Sequence, residues 1–188
     1  MANKTTVALT KEQYTQIIDT MRKGGPAFRK NDRIATALVL EANLGIRIQD
    51  ILNLRLCDII KDGDRYRLNI VEQKTKKKRR FTVPDPIYKY IEDYAKEKNI
   101  GRGEKLFAVK EREVQRYLQV VTEYLSYDNV GTHSFRKFYA TDIYYSNNQD
   151  IVLVQTLLQH SSVKTTQRYI GISSQKQEEA ILGHMALR

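Results

Sequence analysis

The sequence predicts an α-rich α+β fold, one helical domain carrying a small antiparallel β-sheet. Along most of the chain apolar residues recur three and four positions apart, the period of a helix with one buried face. Once, between Gly63 and Val83, the pattern turns to the alternation of strands, interrupted by a run of cations. The 188 residues are 41% apolar and 29% charged, enough for one ordinary domain to bury its own core.

Each element has a local reason. Thr10-Lys11-Glu12-Gln13 has capping-box form, in which the threonine and glutamine side chains satisfy free backbone N–H groups. Tyr14, Ile17, Ile18 and Met21 follow on one face, and Gly24-Gly25-Pro26 ends the helix. Asp32 is expected to cap a second helix, through Ile34, Leu38 and Ala42, that stops near Gly45. A third begins around Arg47 with Ile48, Ile51 and Leu52 on one side. Lys61-Asp62-Gly63-Asp64 reads as a turn, Tyr66, Leu68 and Ile70 as a strand, and Phe81-Thr82-Val83 as its return. Asp85-Pro86 starts the next helix, with the proline at the first helical position. Its expected buried stripe is Ile87, Tyr90, Ile91, Tyr94 and Ala95; Val114, Tyr117, Leu118, Val121 and Leu125 make another. Further helices are expected at 134–145, 150–158, 163–169 and 174–187. Cys57, among Leu54 and Leu56, reads as a buried structural thiol.

Composition narrows the function. Thirty-two Lys and Arg against 22 Asp and Glu give a net charge of +10, which points to a polyanionic partner. A single cysteine excludes an internal disulfide framework and Cys-rich zinc modules, and fits a reducing, cytoplasmic setting. Three histidines, none in a His-x-His or His-x-x-x-His pair, argue against a metalloenzyme. The longest strongly apolar stretch, 34–40, is far short of the roughly 20 residues of a membrane span. Met1-Ala2-Asn3-Lys4-Thr5-Thr6 has no apolar core to act as a secretion signal.

The charge is concentrated. Residues 61–80 hold nine Lys or Arg and three Asp or Glu, so +6 of the total sits in one segment. A solvated hairpin tip would account for it. The sharper reading is a hairpin laid against a nucleic-acid backbone, through Lys76, Lys77, Lys78, Arg79 and Arg80. A membrane-bound basic patch would accompany an apolar helix face, whereas these cations lie between strands.

Taken singly, the remaining polar residues are unremarkable: a histidine at a helix start reads as a cap, a tyrosine ending a helix as core, Arg47 as a surface cation. Their order is more specific. Arg47 is followed by Lys74 in Gln73-Lys74-Thr75, then His133-Ser134-Phe135-Arg136, then Leu157-Leu158-Gln159-His160, and Thr165-Thr166-Gln167-Arg168-Tyr169. This order resembles the catalytic domain of the tyrosine recombinase, or phage integrase, family, over nearly the whole chain and most strongly over 132–169. The segment Asn43-Leu44-Gly45-Ile46-Arg47 stands where the family has Thr-Gly-x-Arg; Leu44 replaces its threonine, and Gln159 replaces its glycine before the second histidine.

The resemblance implies a site-specific DNA recombinase that needs no cofactor and works through a 3′-phosphotyrosine intermediate. Tyr169 is then the nucleophile and His133 its proton acceptor. Arg47 and Arg136 are the phosphate-binding arginines, His160 is a further donor, and Lys74 is the hairpin lysine that protonates the leaving 5′ oxygen. Lys76 competes with Lys74 for that role; the Lys-Thr pair after a strand matches the family better. Double-stranded DNA is the implied partner, bound by a tetramer on paired sites. Two other functions share the residues: a type IB topoisomerase, for which the spacing from His133 to Tyr169 is compact, and a non-catalytic DNA-binding regulator, which would need neither Tyr169 nor His133.

The whole chain, 1–188, then corresponds to the catalytic domain, since Arg47 comes too early for the helical domain that completes the family's clamp around DNA. It is expected to be either an excised domain or a short recombinase resembling the fimbrial phase-switch invertases, which the Met1 start favours. The resemblance implies that residues 171–188 form a tail exchanged between subunits; docking on its own domain is the alternative. Ser174-x-x-Gln177 caps its helix, and Ala180, Ile181, Met185 and Leu187 form a stripe too short to stand alone in water.

Overall fold

A computed structural model of the chain describes residues 6–171 and 181–184. The element order is α1 (Lys11–Lys23), α2 (Asp32–Leu44), α3 (Ile48–Asn53), a 3₁₀ turn (Leu56–Asp58), β1 (Ile59–Asp62), β2 (Arg65–Val71), β3 (Lys78–Val83), α4 (Asp85–Glu97), α5 (Glu111–Tyr124), α6 (Thr132–Ser146), α7 (Ile151–Leu158) and α8 (Val163–Tyr169).

Helix α2 is the centre. It packs against α1, α3 and α6, and Ile34, Ala35, Ala37, Leu38, Leu40, Ala42 and Leu44 are all buried along it. Its apolar residues go all the way round because it has neighbours on several sides. Asn31 caps it by accepting from the Ile34 N–H at 3.1 Å, so the cap lies one residue before the expected Asp32. The α1 capping box forms as its sequence predicts, with Thr10 and Gln13 bonded reciprocally.

The sheet is antiparallel in the order β1-β2-β3. On its inward face Tyr66 pairs with Val83, Leu68 with Phe81, and Ile70 with Arg79. That face lies on α4, where Tyr66 stacks on Tyr88 with ring centroids 3.6 Å apart. The stack makes Tyr88 the buried tyrosine on that flank, while Ile87 and Tyr90, expected in the stripe, are half-buried. Pro86 is the second residue of α4; Pro84 precedes the helix as its cap. The sheet has one more strand than expected. In β1 only Ile59 is buried, so its sequence carries no alternation to read. Strand β3 begins at Lys78 and takes up half of the cationic run.

Two apolar clusters result. The large one spans α1 to α5, the sheet's inner face and Phe135 of α6. The small one joins Ala140, Val154, Leu158 and Ile170, with Tyr139, Ile143, Tyr144, Ile151 and Tyr169 packed against it. Cys57 is exposed, not buried: in the short 3₁₀ turn its neighbour Leu56 takes the inward position. The helix expected over 174–187 falls mostly outside the described residues; Ile181 and Leu182, within them, are exposed. Among the described residues no helix is long and apolar enough to cross a membrane.

Gly45 ends α2 in the left-handed conformation, φ 59°. A Cβ there would lie 2.3 Å from the Tyr139 ring, whereas a Cβ on Gly63, at φ 61°, would meet nothing within 4 Å. Gly63→Ala is therefore expected to cost about 1 kcal/mol for the backbone alone. Gly45→Ala should cost about 2–4 kcal/mol, because overpacking adds to the same backbone term. Urea unfolding of the two variants checks the difference.

Candidate active site

The site forms where the two clusters meet. Arg136, on the first turn and a half of α6, is 1% exposed. Its Nη1 donates to the Gly45 carbonyl at 2.7 Å and its Nη2 to the Leu158 carbonyl at 2.9 Å. The first carbonyl follows α2 and the second ends α7, so both are helix C-terminal groups without a partner in their own helix. Burial, opposed by Tyr169 and reinforced by Arg47, lowers the Arg136 pKa.

Tyr169 ends α8, half-buried, in the field of Arg136. Burial raises the phenol pKa; Arg136 and Arg47 pull it down. The His160 ring meets the Tyr169 ring edge to face, centroids 4.9 Å apart. His160 Nδ1 lies 3.1 Å from the hydroxyl of Thr166, which is fully buried. Burial, with Arg136, Arg47 and Arg79 around it, pushes the His160 pKa down to about 4, so the ring is neutral at pH 7. The Lys137 amine stands 5.5 Å from the Tyr169 ring centre and bonds the Thr6 carbonyl.

His133 stands one turn before Arg136 on the same side of α6 and is exposed at the surface. Desolvation by the protein behind it, then Arg136 and Lys74, lower its pKa. Lys74 therefore shares the field of the site, although it stands exposed in the turn between β2 and β3. Among the described residues no direct hydrogen bond joins His133 or Lys74 to Tyr169.

Arg47 caps α3 half-buried, its Nη1 donating to Glu72 Oε2 at 2.6 Å. The structure thus brings Arg47, Arg136, His160 and Tyr169 into one electrostatic cluster, with His133 and Lys74 at its open side.

The cationic run divides. Lys76, Lys77, Lys78 and Arg80 are exposed, with Arg80 3.3 Å from Asp62. Arg79, expected with them as a backbone-facing cation, is 3% exposed and points inward. It bonds the Leu157 carbonyl, faces Glu72 at 3.9 Å and lies over the Phe81 ring. Burial, with Arg136 nearby, brings its pKa down to about 10. The reason for the correction is strand parity: β3 starts at Lys78, so its even-numbered residues face solvent and its odd-numbered ones the core.

Three buried acids have no counterpart in the expected site. Glu72 is described above; it is the lone acid between Arg65 and Arg80, a signal present in the sequence. Asp50, on α3, accepts the Gln73 N–H at 2.8 Å, and burial raises its pKa. Glu41, on α2, is fully buried near Arg136, and burial raises its pKa well above the usual carboxylate range. Asp50 stands three residues after Arg47; Glu41 sits in an apolar run that gives no sign of a nearby cation.

Comparison with known proteins identifies the family and the fold. The phage integrase family profile matches residues 8–176. The probable integrase/recombinase YoeC of Bacillus subtilis is 32% identical over 150 residues, covering 76% of this chain and 80% of that protein. Tyrosine recombinase XerC of Caldanaerobacter subterraneus is 28% identical over 186 residues, covering 93% of this chain and 50% of its own. The chain thus spans about half the length of that relative. Among solved structures, XerH site-specific recombinase bound to difH substrate superposes with a TM-score of 0.69 at 19% identity, over 96% of this chain and 55% of that one. The catalytic domain of bacteriophage HP1 integrase gives 0.65 at 16% identity, over 95% of each chain. The fold is that of a tyrosine recombinase catalytic domain.

The split within the cationic run has a measurable consequence. Arg79→Ala leaves Glu72 and the α7 carbonyl short of a buried cation and should cost about 3 kcal/mol. Lys78→Ala and Arg80→Ala, at exposed positions, should stay within about 0.5–1 kcal/mol of the parent. Chemical denaturation of the three single variants checks this.

Proposed function

Because the chain belongs to the phage integrase family, we propose that it is a site-specific DNA recombinase that cuts and rejoins strands through a covalent 3′-phosphotyrosine intermediate. The observation that carries the reading is the Tyr169 ring set edge to face against His160, within the field of the buried Arg136 guanidinium.

The Tyr169 oxygen attacks phosphorus, the bond to the 5′ oxygen breaks, and the bond energy is kept in the tyrosyl ester. The phenol must lose its proton, and burial makes that harder while Arg136 makes it easier. His133, neutral at pH 7 through its lowered pKa, accepts the proton. Negative charge gathers on the non-bridging oxygens of the transition state. Arg47 and Arg136 offer planar forks of donors to it, supplying the charge that metal ions supply in many phosphoryl-transfer enzymes. In the tautomer in which Nδ1 accepts from the Thr166 hydroxyl, neutral His160 carries its proton on Nε2 and adds another donor. Removing one such donor costs on the order of 3 kcal/mol of transition-state stabilisation. Lys74 gives a proton to the departing 5′ oxygen.

Double-stranded DNA is the partner in this reading. Lys76, Lys77, Lys78 and Arg80 lie along its backbone, and a tetramer holds paired sites. The chain, 1–188, is the catalytic domain, and its residues 171–188 dock on a neighbouring subunit. The setting is the nucleoid of a prokaryote or a phage or mobile element.

Tyr169→Phe is expected to bind DNA as the parent does and to form no covalent adduct on a nicked suicide substrate. An adduct mapped to another of the twelve tyrosines would overturn the assignment. Neutralising Lys76, Lys77, Lys78 and Arg80 should weaken binding to all sequences alike and reduce the salt slope by about 0.9 for each lost phosphate contact. Titrations at several salt concentrations read that slope.

A further inference from the structure

We propose that Glu72 is a positioning residue that fixes the Lys74 turn against Arg47. The inference rests on the reading above in which Lys74 protonates the leaving oxygen.

Glu72 closes β2 and opens the turn. Its N–H donates to the Lys77 carbonyl at 3.0 Å, and its carbonyl accepts from the Lys76 N–H at 2.9 Å. Lys76 takes a left-handed conformation, φ 56°, to make that closure. The carboxylate is turned inward and fully buried, where an ionised group is stable only with close partners. Those partners are Arg47 Nη1 and Thr75 Oγ1, both donating to Oε2 at 2.6 Å, with Arg79 Nη1 3.9 Å from Oε1. Together they outweigh desolvation and hold the Glu72 pKa below the ordinary carboxylate value.

One oxygen atom therefore joins the first phosphate-binding arginine to the residue next to Lys74. Asp50 Oδ1 adds a second tie by accepting the Gln73 N–H on the other side of Lys74. Lys74 is thus flanked by two residues whose positions are set from the α3 side, while its own side chain extends into solvent. A freely swinging lysine would reach the leaving oxygen in few conformations; a pinned turn limits it to those near Arg47, and hence near the phosphate. Arg47 keeps its other N–H groups for that phosphate.

The reaction separates positioning from a general structural role. In an ordinary phosphodiester the leaving 5′ oxygen takes a proton as its bond to phosphorus breaks. In a 5′-bridging phosphorothiolate the sulfur leaves as a thiolate and needs none. Single-turnover cleavage of suicide substrates carrying either linkage is measured with the full chain and with Lys74→Ala, Glu72→Ala, Glu72→Gln and Thr75→Val. Displacing the acid should slow Glu72→Ala and Thr75→Val about 10- to 100-fold on the phosphodiester. On the phosphorothiolate both should cleave close to the parent rate. Glu72→Gln, whose amide oxygen still accepts from Arg47 and Thr75, should recover most of the phosphodiester rate. Thr75→Val keeps the buried carboxylate, so it reports even where Glu72→Ala fails to fold. Parent-like phosphodiester cleavage by Thr75→Val and Glu72→Ala overturns the proposal, as does an equal loss on both substrates. Lys74→Ala without phosphorothiolate rescue removes the acid assignment and this inference with it. Rescue of Lys74→Ala alone removes only the role of Glu72.

Discussion

A guanidinium keeps its charge when buried, so Arg136 must be met by acceptors wherever the fold encloses it. It is met by the Gly45 and Leu158 carbonyls, at the negative ends of α2 and α7. One side chain thus ends two helices and pins the small apolar cluster to the large one. The rest of the site is measured from those two points. Arg47 comes two residues after Gly45, His160 two residues after Leu158, and Tyr169 lies within the field of the guanidinium. Truncating this arginine removes more than a charge, because it empties the joint from which the others take their positions.

The same arrangement concentrates positive charge. Arg136, Arg47 and Arg79 all bear on His160, with Glu72 opposing them. Such a field suits an anion, and folding has already oriented the donors that face it. That is the preorganisation electrostatic catalysis requires, with the reorganisation done during folding rather than during reaction. Burial first, and this field after it, lowers the pKa of His133 and of His160, so neither readily becomes a further cation.

Much of the fold was legible in the sequence where a helix has a side-chain cap or a one-sided apolar face. Thr10 and Gln13 bond as the capping box requires, and α8 spans the predicted 163–169. The weak places were those where burial does not follow hydrophobicity. Strand β1 buries a single residue, and Cys57 sits in a turn where its apolar neighbours take the interior. In the site, motif order picked out Arg47, His133, Arg136, His160 and Tyr169. It passed over Glu72, although a lone acid among cations marks it, and could not find Glu41, whose cation only folding brings near. Arg79 fails for the converse reason: among six cations in seven residues, composition does not say which one turns inward.

That inward turn of Arg79 makes the hairpin a counted object. Cations on β3 can be exchanged for one another at Lys78 and Arg80 with little effect on the interior, but the number of residues in the strand cannot change by one. A one-residue slip of β3 against β2 would carry Lys78 and Arg80 into the core and put Arg79, Phe81 and Val83 outside. Neutral drift on this surface should therefore run through side-chain identity and spare length. An insertion between Glu72 and Lys78 must be absorbed wholly within the turn, or else rotate a face meant for solvent into a buried cluster of like charges.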